Sequence, residues 1–454
     1  MKKLLLLLLV APFIANAQDE DSIFIKKLSD EILRNGKAYN LLRQLTKQVG
    51  GRLAGSPQMV QAEQWGLKTM KEQGAELAYL QECMVPHWVR GTGDKVLVST
   101  IDGKIATKQL DACALGNSLG CSKTIIADII AVADFDELEK RKDEVKGKIV
   151  YYNAGFNPTN IRPFKSYGES GIYRRNGASR AAKYGAVGIM IRSLTESTDN
   201  NPHTGSMVYN DSFPKIPAVS LGFQDADYVW QLSRKSSVKV SLLTHGQMLS
   251  DTIGHNVIGE IKGSEFPDEY ITIGGHLDSW DLAEGAHDDG TGVVQTMEVS
   301  RAFKALGYKP KHSIRFVLFA NEENGTRGAE KYAEVAKEKK EKHIFALESD
   351  AGGFTPRSFG LTMSNAQMEK MQPWLKLLKP YGTEDLLAGG GGADIGFLNK
   401  AFNTPLAGLE PDGQRYFDVH HARNDVFENV NKRELLLGAV NMAGLVYLVD
   451  KYGL

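Results

Sequence analysis

Residues 270–306 read YITIGGHLDSWDLAEGAHDDGTGVVQTMEVSRAFKAL. The stretch begins with an apolar run, passes through a glycine-rich loop that holds two histidines and four aspartates, and continues into a helical pattern over 291–306. An apolar strand that leads through a polar loop into a helix is the repeating unit of α/β folds, which bind ligands at the carboxyl ends of their strands. The stretch therefore predicts the fold class and the region in which a site would lie.

The residues that follow repeat this order. SIRFVLFA at 313–320 and HIFALES at 343–349 are nearly continuous apolar runs, and a helical pattern over 326–338 separates them. Strands that are apolar throughout are typical of a sheet that is buried on both faces. We expect an α/β domain whose central sheet is covered by helices on both faces.

The chain starts MKKLLLLLLVAPFIANAQDE, in which two lysines precede an apolar run and a small-x-small end. This pattern predicts a secretory signal peptide over 1–17, because the apolar run is too short for a stable membrane-spanning helix. A retained membrane anchor is the alternative. Cleavage would give an exported protein, periplasmic or secreted. No later segment offers about 18 uninterrupted apolar residues, so we expect no membrane association after signal removal.

Composition excludes some partners. A net charge of −1 gives no electrostatic reason to expect nucleic acid or an acidic membrane surface. The three cysteines cannot form a disulfide framework, although Cys113 and Cys121 could close a small loop. Function must therefore come from a specific site.

The order of strand-like and helical segments predicts an inserted lobe over residues 111–250. GKIVYYN, the helical RRNGASRAAKY and the strand-like AVGIMIR give this region apolar segments of its own. Residues 18–110 would then be the N-terminal part of the main domain, which residues 251–454 complete.

Four polar clusters follow apolar strands or their loops, and charged residues at strand ends are ordinarily just solvated. The clusters are His276, Asp278, Asp288 and Asp289; NEEN at 321–324; ESD at 348–350; and HHARND at 420–425. Carboxylates gathered at one sheet edge repel each other unless a cation lies between them, and imidazoles favour zinc over calcium or magnesium. Of the adjacent Glu322 and Glu323, one can bind metal while the other stays free as a base. The pattern favours a two-metal hydrolase over a purely structural zinc site.

In this order, GGHLDSWD, DDGTG, NEENGTRGA, ESDAGG and HHARND resemble the co-catalytic zinc peptidases of the M28 type. PHWVRG at 86–91, PHTG at 202–205 and KIPAVSL at 215–221 are similar to the branch of plasma glutamate carboxypeptidase, also called carboxypeptidase Q. The resemblance covers nearly the whole chain after residue 17. It implies the zinc exopeptidase fold, with a mixed central sheet and two Zn²⁺ ions.

The resemblance also implies a role for each site residue. Asp288 would bridge the two zinc ions, His276 and Asp350 would complete one of them, and Glu323 with His421 would complete the other. His420 is the alternative if the loop register differs. Glu322 would be the general base, Asp278 would orient the ligand imidazole through its carboxylate, and the peptide bond between Asp288 and Asp289 would be cis.

Substrate class and assembly follow from the same resemblance. The lobe over 111–250 resembles a protease-associated domain, which would cover the site and contribute to a homodimer. The expected substrates are short unblocked peptides, with dipeptides as the leading class, and the residues leave open whether the free amine or the free carboxylate is anchored. Two alternatives remain: a non-catalytic receptor-like protein on the same fold, and a glutaminyl cyclase.

Overall fold

The computed structural model describes residues 4–100 and 107–454, with side chains described from Glu20 onward. These residues contain sixteen strands and thirteen α-helices. The strands are β1 Leu77–Val89, β2 Lys95–Thr100, β3 Lys108–Leu110, β4 Ala112–Ala114, β5 Ile125–Val132, β6 Ile149–Tyr152, β7 Gly188–Arg192, β8 Ala218–Leu221, β9 Val238–Leu243, β10 Gln247–Ile261, β11 Phe266–His276, β12 His312–Phe319, β13 Lys342–Glu348, β14 Pro356–Thr362, β15 Asp385–Ala388 and β16 Leu406–Pro411. The helices are α1 Leu4–Asn35, α2 Ala38–Gln44, α3 Pro57–Glu72, α4 Phe135–Lys140, α5 Pro163–Ala182, α6 Phe223–Ser233, α7 Thr291–Ala305, α8 Arg327–Glu338, α9 Asn365–Met371, α10 Leu375–Leu378, α11 Gly396–Phe402, α12 Tyr416–Val419 and α13 Lys432–Tyr452.

The main domain is built on a mixed sheet of eight strands in the order β1-β10-β12-β11-β13-β16-β14-β15. The centre is parallel, since β11 pairs in parallel with both β12 and β13, and β13 pairs in parallel with β16. The strands β10 and β14 run antiparallel to their inner neighbours. The carboxyl ends of β11, β12 and β13 therefore meet at one edge of the sheet, as the sequence predicts.

Both faces at the centre of this sheet are buried, which explains why its central strands are largely apolar. In β12, Ile314 and Phe316 belong to one hydrophobic cluster, and Val317 and Phe319 belong to another. Helices α1, α7 and α13 pack on the first face, while α8 and α11 pack on the second. The predicted α/β fold with helices on both faces is confirmed.

Helix α13 is long and apolar enough to cross a membrane, but 83% of its most apolar window is buried inside the protein. It packs against α7 and α1, so its hydrophobic character belongs to the core of the main domain. Asp21 in α1 accepts hydrogen bonds from Tyr447 Oη at 2.8 Å, Lys451 Nζ at 2.6 Å and Tyr452 Oη at 2.6 Å. The signal peptide predicted over 1–17 lies outside the residues whose side chains the structure describes.

The lobe contains a second eight-stranded sheet, in the order β3-β2-β9-β5-β6-β7-β8-β4. Its strands run from Lys95 to Leu243, whereas the sequence predicts a lobe over 111–250. The sheet begins before residue 111 because β2 pairs with β9, about 140 residues away, and no change of composition marks that pairing. Cys83, Cys113 and Cys121 are all free thiols, so the open disulfide question is answered in the negative.

Candidate metal centre

The first part of the site lies at the end of β11. His276 is the last residue of this strand and its side chain is buried. Its Nε2 lies 3.2 Å from Asp288 Oδ1 and 3.4 Å from Asp350 Oδ1. Asp350 follows the end of the neighbouring strand β13, and Asp288 lies in the turn before α7. Two adjacent strands and one loop therefore bring three predicted ligands together.

Asp288 lies between two histidines. While its Oδ1 faces His276, its Oδ2 lies 3.2 Å from His421 Nε2. The peptide bond between Asp288 and Asp289 is cis, as the resemblance implies. Asp289 accepts hydrogen bonds from the backbone amides of His276 at 3.0 Å and Gly292 at 3.1 Å. One carboxylate oxygen for each histidine is the arrangement that a bridging ligand requires.

The second part joins the turn after β12 to the C-terminal loop. Glu323 Oε2 lies 3.2 Å from His421 Nε2, and Glu323 Oε1 accepts a hydrogen bond from the Trp280 amide at 3.1 Å. The alternative ligand His420 lies 3.7 Å from Asp288 Oδ2, and its ring stacks on that of His421. His421 touches both Asp288 and Glu323, so the geometry favours it over His420.

The donor set fits a cation. His276 Nε2 and Asp288 Oδ2 are buried without a hydrogen-bond partner, and two groups of possible metal ligands lie close together: Asp288, His420, His421, and His276, Asp289, Asp350. Although burial opposes it, the imidazoles of His276 and His421 beside its two oxygens hold the pKa of Asp288 well below its usual value. In the absence of a metal, the imidazoles of His276 and His421 thus supply the positive charge that balances the Asp288 carboxylate. Buried carboxylate and imidazole donors in this number suit zinc.

Glu322 faces the same cluster without being part of it. Burial, together with the carboxylates of Asp350, Glu323 and Asp288, holds the pKa of Glu322 well above its usual value. Burial and the Asp288 carboxylate likewise raise the pKa of Glu323 to about 7. A bound cation would favour the ionised forms of both groups. Glu322 is therefore a carboxylate placed to exchange a proton at the edge of the cluster.

Asp278 contacts both the His276 imidazole and the Glu322–Glu323 turn. His276 Nδ1 donates to the backbone carbonyl of Asp278 at 3.0 Å, whereas the Asp278 carboxylate lies 3.7 Å away. That carboxylate accepts hydrogen bonds from the backbone amides of Glu322 at 3.0 Å and Glu323 at 3.3 Å. The shorter contact to the imidazole is therefore made by the main chain of Asp278, and the orienting role of its carboxylate stays a prediction.

Several supporting residues carry no sequence signal of their own. Asp425 accepts from the backbone amides of His287 at 2.7 Å and Asp288 at 3.1 Å, and only its place four residues after His421 indicates a role. Arg52 is buried and donates to the carbonyls of Leu277 at 2.5 Å, Glu284 at 2.7 Å and Gly285 at 3.0 Å. It thereby fixes the loop between the ligands His276 and Asp288.

A cavity of about 520 Å³ opens beside the cluster, and the lobe supplies much of its wall. Among its lobe residues are Phe164, Tyr167, Arg174, Arg175, Ser206 and Val208. A second cavity of about 880 Å³ shares Phe164 and Asp350 with the first and is walled by Gly389–Gly392. Asp394, which follows the glycine run, is buried and lines neither cavity.

The sheet, its edge of histidines and carboxylates and the adjoining cavity define a metal-dependent hydrolase. The model of peptidase family M28 matches residues 256–446. Together with the relatives described next, this match shows that the chain belongs to peptidase family M28 and is a zinc metallopeptidase.

The relatives include carboxypeptidase Q of Mus musculus and of Homo sapiens. Each is 34% identical over 415 residues, which cover 91% of this chain and 85% of the relative. The crystal structure of a peptidase M28 precursor from Shewanella amazonensis is 31% identical, with a TM-score of 0.89 over 95% of this chain and 97% of the other. A zinc aminopeptidase from Bacillus subtilis shares the fold at 19% identity, with a TM-score of 0.64 over 91% of this chain and 95% of the other.

Proposed function

We propose that this protein is an exported exopeptidase that holds two zinc ions and hydrolyses short unblocked peptides, dipeptides foremost. The observation that carries the proposal is the position of Asp288, whose two carboxylate oxygens each face a different histidine, His276 and His421. His276 and Asp350 would hold one ion, Glu323 and His421 the other, and Asp288 both. Candidates for every ligand are present, which argues against a receptor-like protein that has lost its metals.

When bound, the zinc ions would polarise the scissile carbonyl and activate water. Glu322 would take a proton from that water and pass it to the leaving amine. Asp278 holds Glu322 in place through the backbone amide, while the neighbouring carboxylates keep its affinity for a proton high. The Glu322–Glu323 pair also argues against a glutaminyl cyclase, as the family resemblance implies.

The cavity supports recognition of a free carboxylate. Arg174 is 3% exposed, and its Nε has no hydrogen-bond partner. The Arg174 Nη2 donates to Tyr167 Oη at 2.8 Å, and its Nη1 lies 3.5 Å from His421 Nδ1. When His421 binds metal through Nε2, its Nδ1 carries a proton and cannot accept a hydrogen bond from Arg174. A buried guanidinium with unpaired N–H groups attracts a carboxylate. The Arg174 side chain would therefore hold the C-terminal carboxylate of a short peptide.

Localisation and assembly complete the proposal. The basic start and apolar run before residue 17 support export to a periplasm or beyond, and the described core contacts of α1 begin with residues that cleavage would leave in place. We propose a homodimer, for which the exposed apolar side chains of Met84 and Ile253, paired across β1 and β10, offer a surface. The lobe over β2 to β9 would be the protease-associated-like domain that covers the site.

The test is a hydrolysis assay on the mature chain loaded with zinc. Free dipeptides should be cleaved, a chelator should abolish cleavage and zinc should restore it. Because Arg174 would bind the carboxylate, amidation of the C-terminus should lower kcat/KM more than acetylation of the N-terminus. Failure to cleave any dipeptide with two zinc ions bound would refute the peptidase proposal, while a larger effect of N-acetylation would refute only the polarity.

A further inference from the structure

The loop at Pro202–Gly205 of the lobe contacts the metal centre from outside. Thr204 N donates to the His421 carbonyl at 2.9 Å, and the Thr204 carbonyl lies 3.3 Å from His421 Nδ1. His203 Nδ1 donates to the His420 carbonyl at 2.7 Å. Three hydrogen bonds therefore join this short segment of the lobe to two consecutive residues of the C-terminal loop.

We infer that His203, Thr204 and Gly205 are positioning residues for the second zinc site, the one formed by Glu323 and His421, an inference that rests on the ligands assigned in the proposed function. A histidine that binds metal through Nε2 carries its proton on Nδ1, and the acceptor of that proton sets the tautomer and the ring orientation. For His421 the acceptor is Thr204 of the lobe. For His276 it is the Asp278 carbonyl, which belongs to the main domain.

The backbone of His421 gives a second reason. Its φ is +61°, in the left-handed region that residues other than glycine and asparagine rarely adopt. Such a conformation persists only where surrounding contacts enforce it. The hydrogen bonds from Thr204 N to the His421 carbonyl and from His203 Nδ1 to the His420 carbonyl, one on each side of the His421 Cα, supply contacts of this kind.

Gly205 of the lobe lies directly against the side chains of Arg174 and His421. Its φ is +132°, and a Cβ there would lie 2.5 Å from Arg174 Nη1 and 2.7 Å from His421 Nδ1. Neither group can withdraw freely, because Arg174 is buried and His421 is bonded to Thr204. Only glycine fits here, so the contact with His421 of the second zinc site explains the glycine of the PHTG sequence.

The experiment is a zinc titration of the whole mature chain against a chromophoric chelator, which measures two dissociation constants. Gly205→Ala and His203→Leu should weaken one of the two zinc ions about 10- to 100-fold and leave the other little changed. His203→Asn should recover most of the loss, because its amide can replace the Nδ1–H donor. Gly171→Ala is the matched control, since a Cβ there meets nothing within 4 Å.

Thermal unfolding of the metal-free variants separates positioning from folding. If Gly205→Ala and His203→Leu unfold like the Gly171→Ala control without metal, the loss of one zinc ion reports the site. The inference would be overturned if both variants had the zinc dissociation constants of the parent, or if the affinities for both zinc ions fell equally. Failure of the parent itself to bind two zinc ions would instead refute the proposed function.

Discussion

The two halves of the metal centre are built differently. The half around His276 belongs wholly to the main domain, because its ligands follow β11 and β13 and its imidazole is oriented by the next residue but one. The half around His421 depends on a loop from the lobe. Local chain geometry therefore orients one half, whereas the other also uses a contact from the docked lobe. Asp288 ties the halves together.

Replacing Glu322 should have the largest effect on activity and should leave zinc binding in both halves of the metal centre unchanged. Glu322→Gln keeps the shape of the side chain but removes its basic oxygen, so we expect turnover to fall about 10²- to 10⁴-fold. Both zinc ions should remain, because Glu322 lies outside the ligand set. Steady-state kinetics and zinc analysis of the same preparation measure this. Loss of a zinc ion in Glu322→Gln would place Glu322 among the ligands instead.

Arg174 should distinguish binding of substrate from binding of metal on the lobe side. Arg174→Met removes a charged hydrogen-bond donor while keeping a long apolar stem, and we expect KM for free dipeptides to rise roughly 10- to 100-fold. Zinc affinity should stay near that of the parent, unlike in Gly205→Ala. Arg180→Met, on the same helix but packed over Phe135, is the control and should change neither. An unchanged KM in Arg174→Met would exclude this anchor.

The same division explains what could be predicted from the sequence. His276, Glu323 and Asp350 lie at or just after the ends of β11, β12 and β13, whose apolar patterns are legible, so these strands and ligands could be located. The partners of His421 could not, because Thr204 is 217 residues away and meets it only through the docked lobe. Arg174 lies in RRNGASRAAKY, whose composition indicates only a helix. The pairing of β2 with β9 in the lobe sheet could not be predicted for the same reason, since pairing over long distances leaves no local pattern.

The smallest effect should appear in two buried thiols, one on each side of the junction. Cys83 lies on β1 of the main domain and Cys113 on β4 of the lobe, and burial raises the pKa of each to about 12. At pH 8 only about one molecule in ten thousand would carry either thiolate, so labelling requires opening. Zinc removal should speed labelling of Cys113 a few-fold more than that of Cys83, since Ala114, beside Cys113, accepts a hydrogen bond from Thr204 Oγ1 at 3.0 Å.

Peptide mass spectrometry of the alkylated protein, with and without chelator, measures both rates in one sample. Raising the pH from 8 to 9 should speed both reactions about threefold, because each thiol reacts from an opened state in which its pKa is the ordinary value of about 8.5, and it should leave their ratio unchanged. A change in the ratio on zinc removal therefore reports opening rather than ionisation. Equal acceleration of both thiols would mean that the main domain loosens together with the lobe, and the two halves of the centre would then depend equally on the metal.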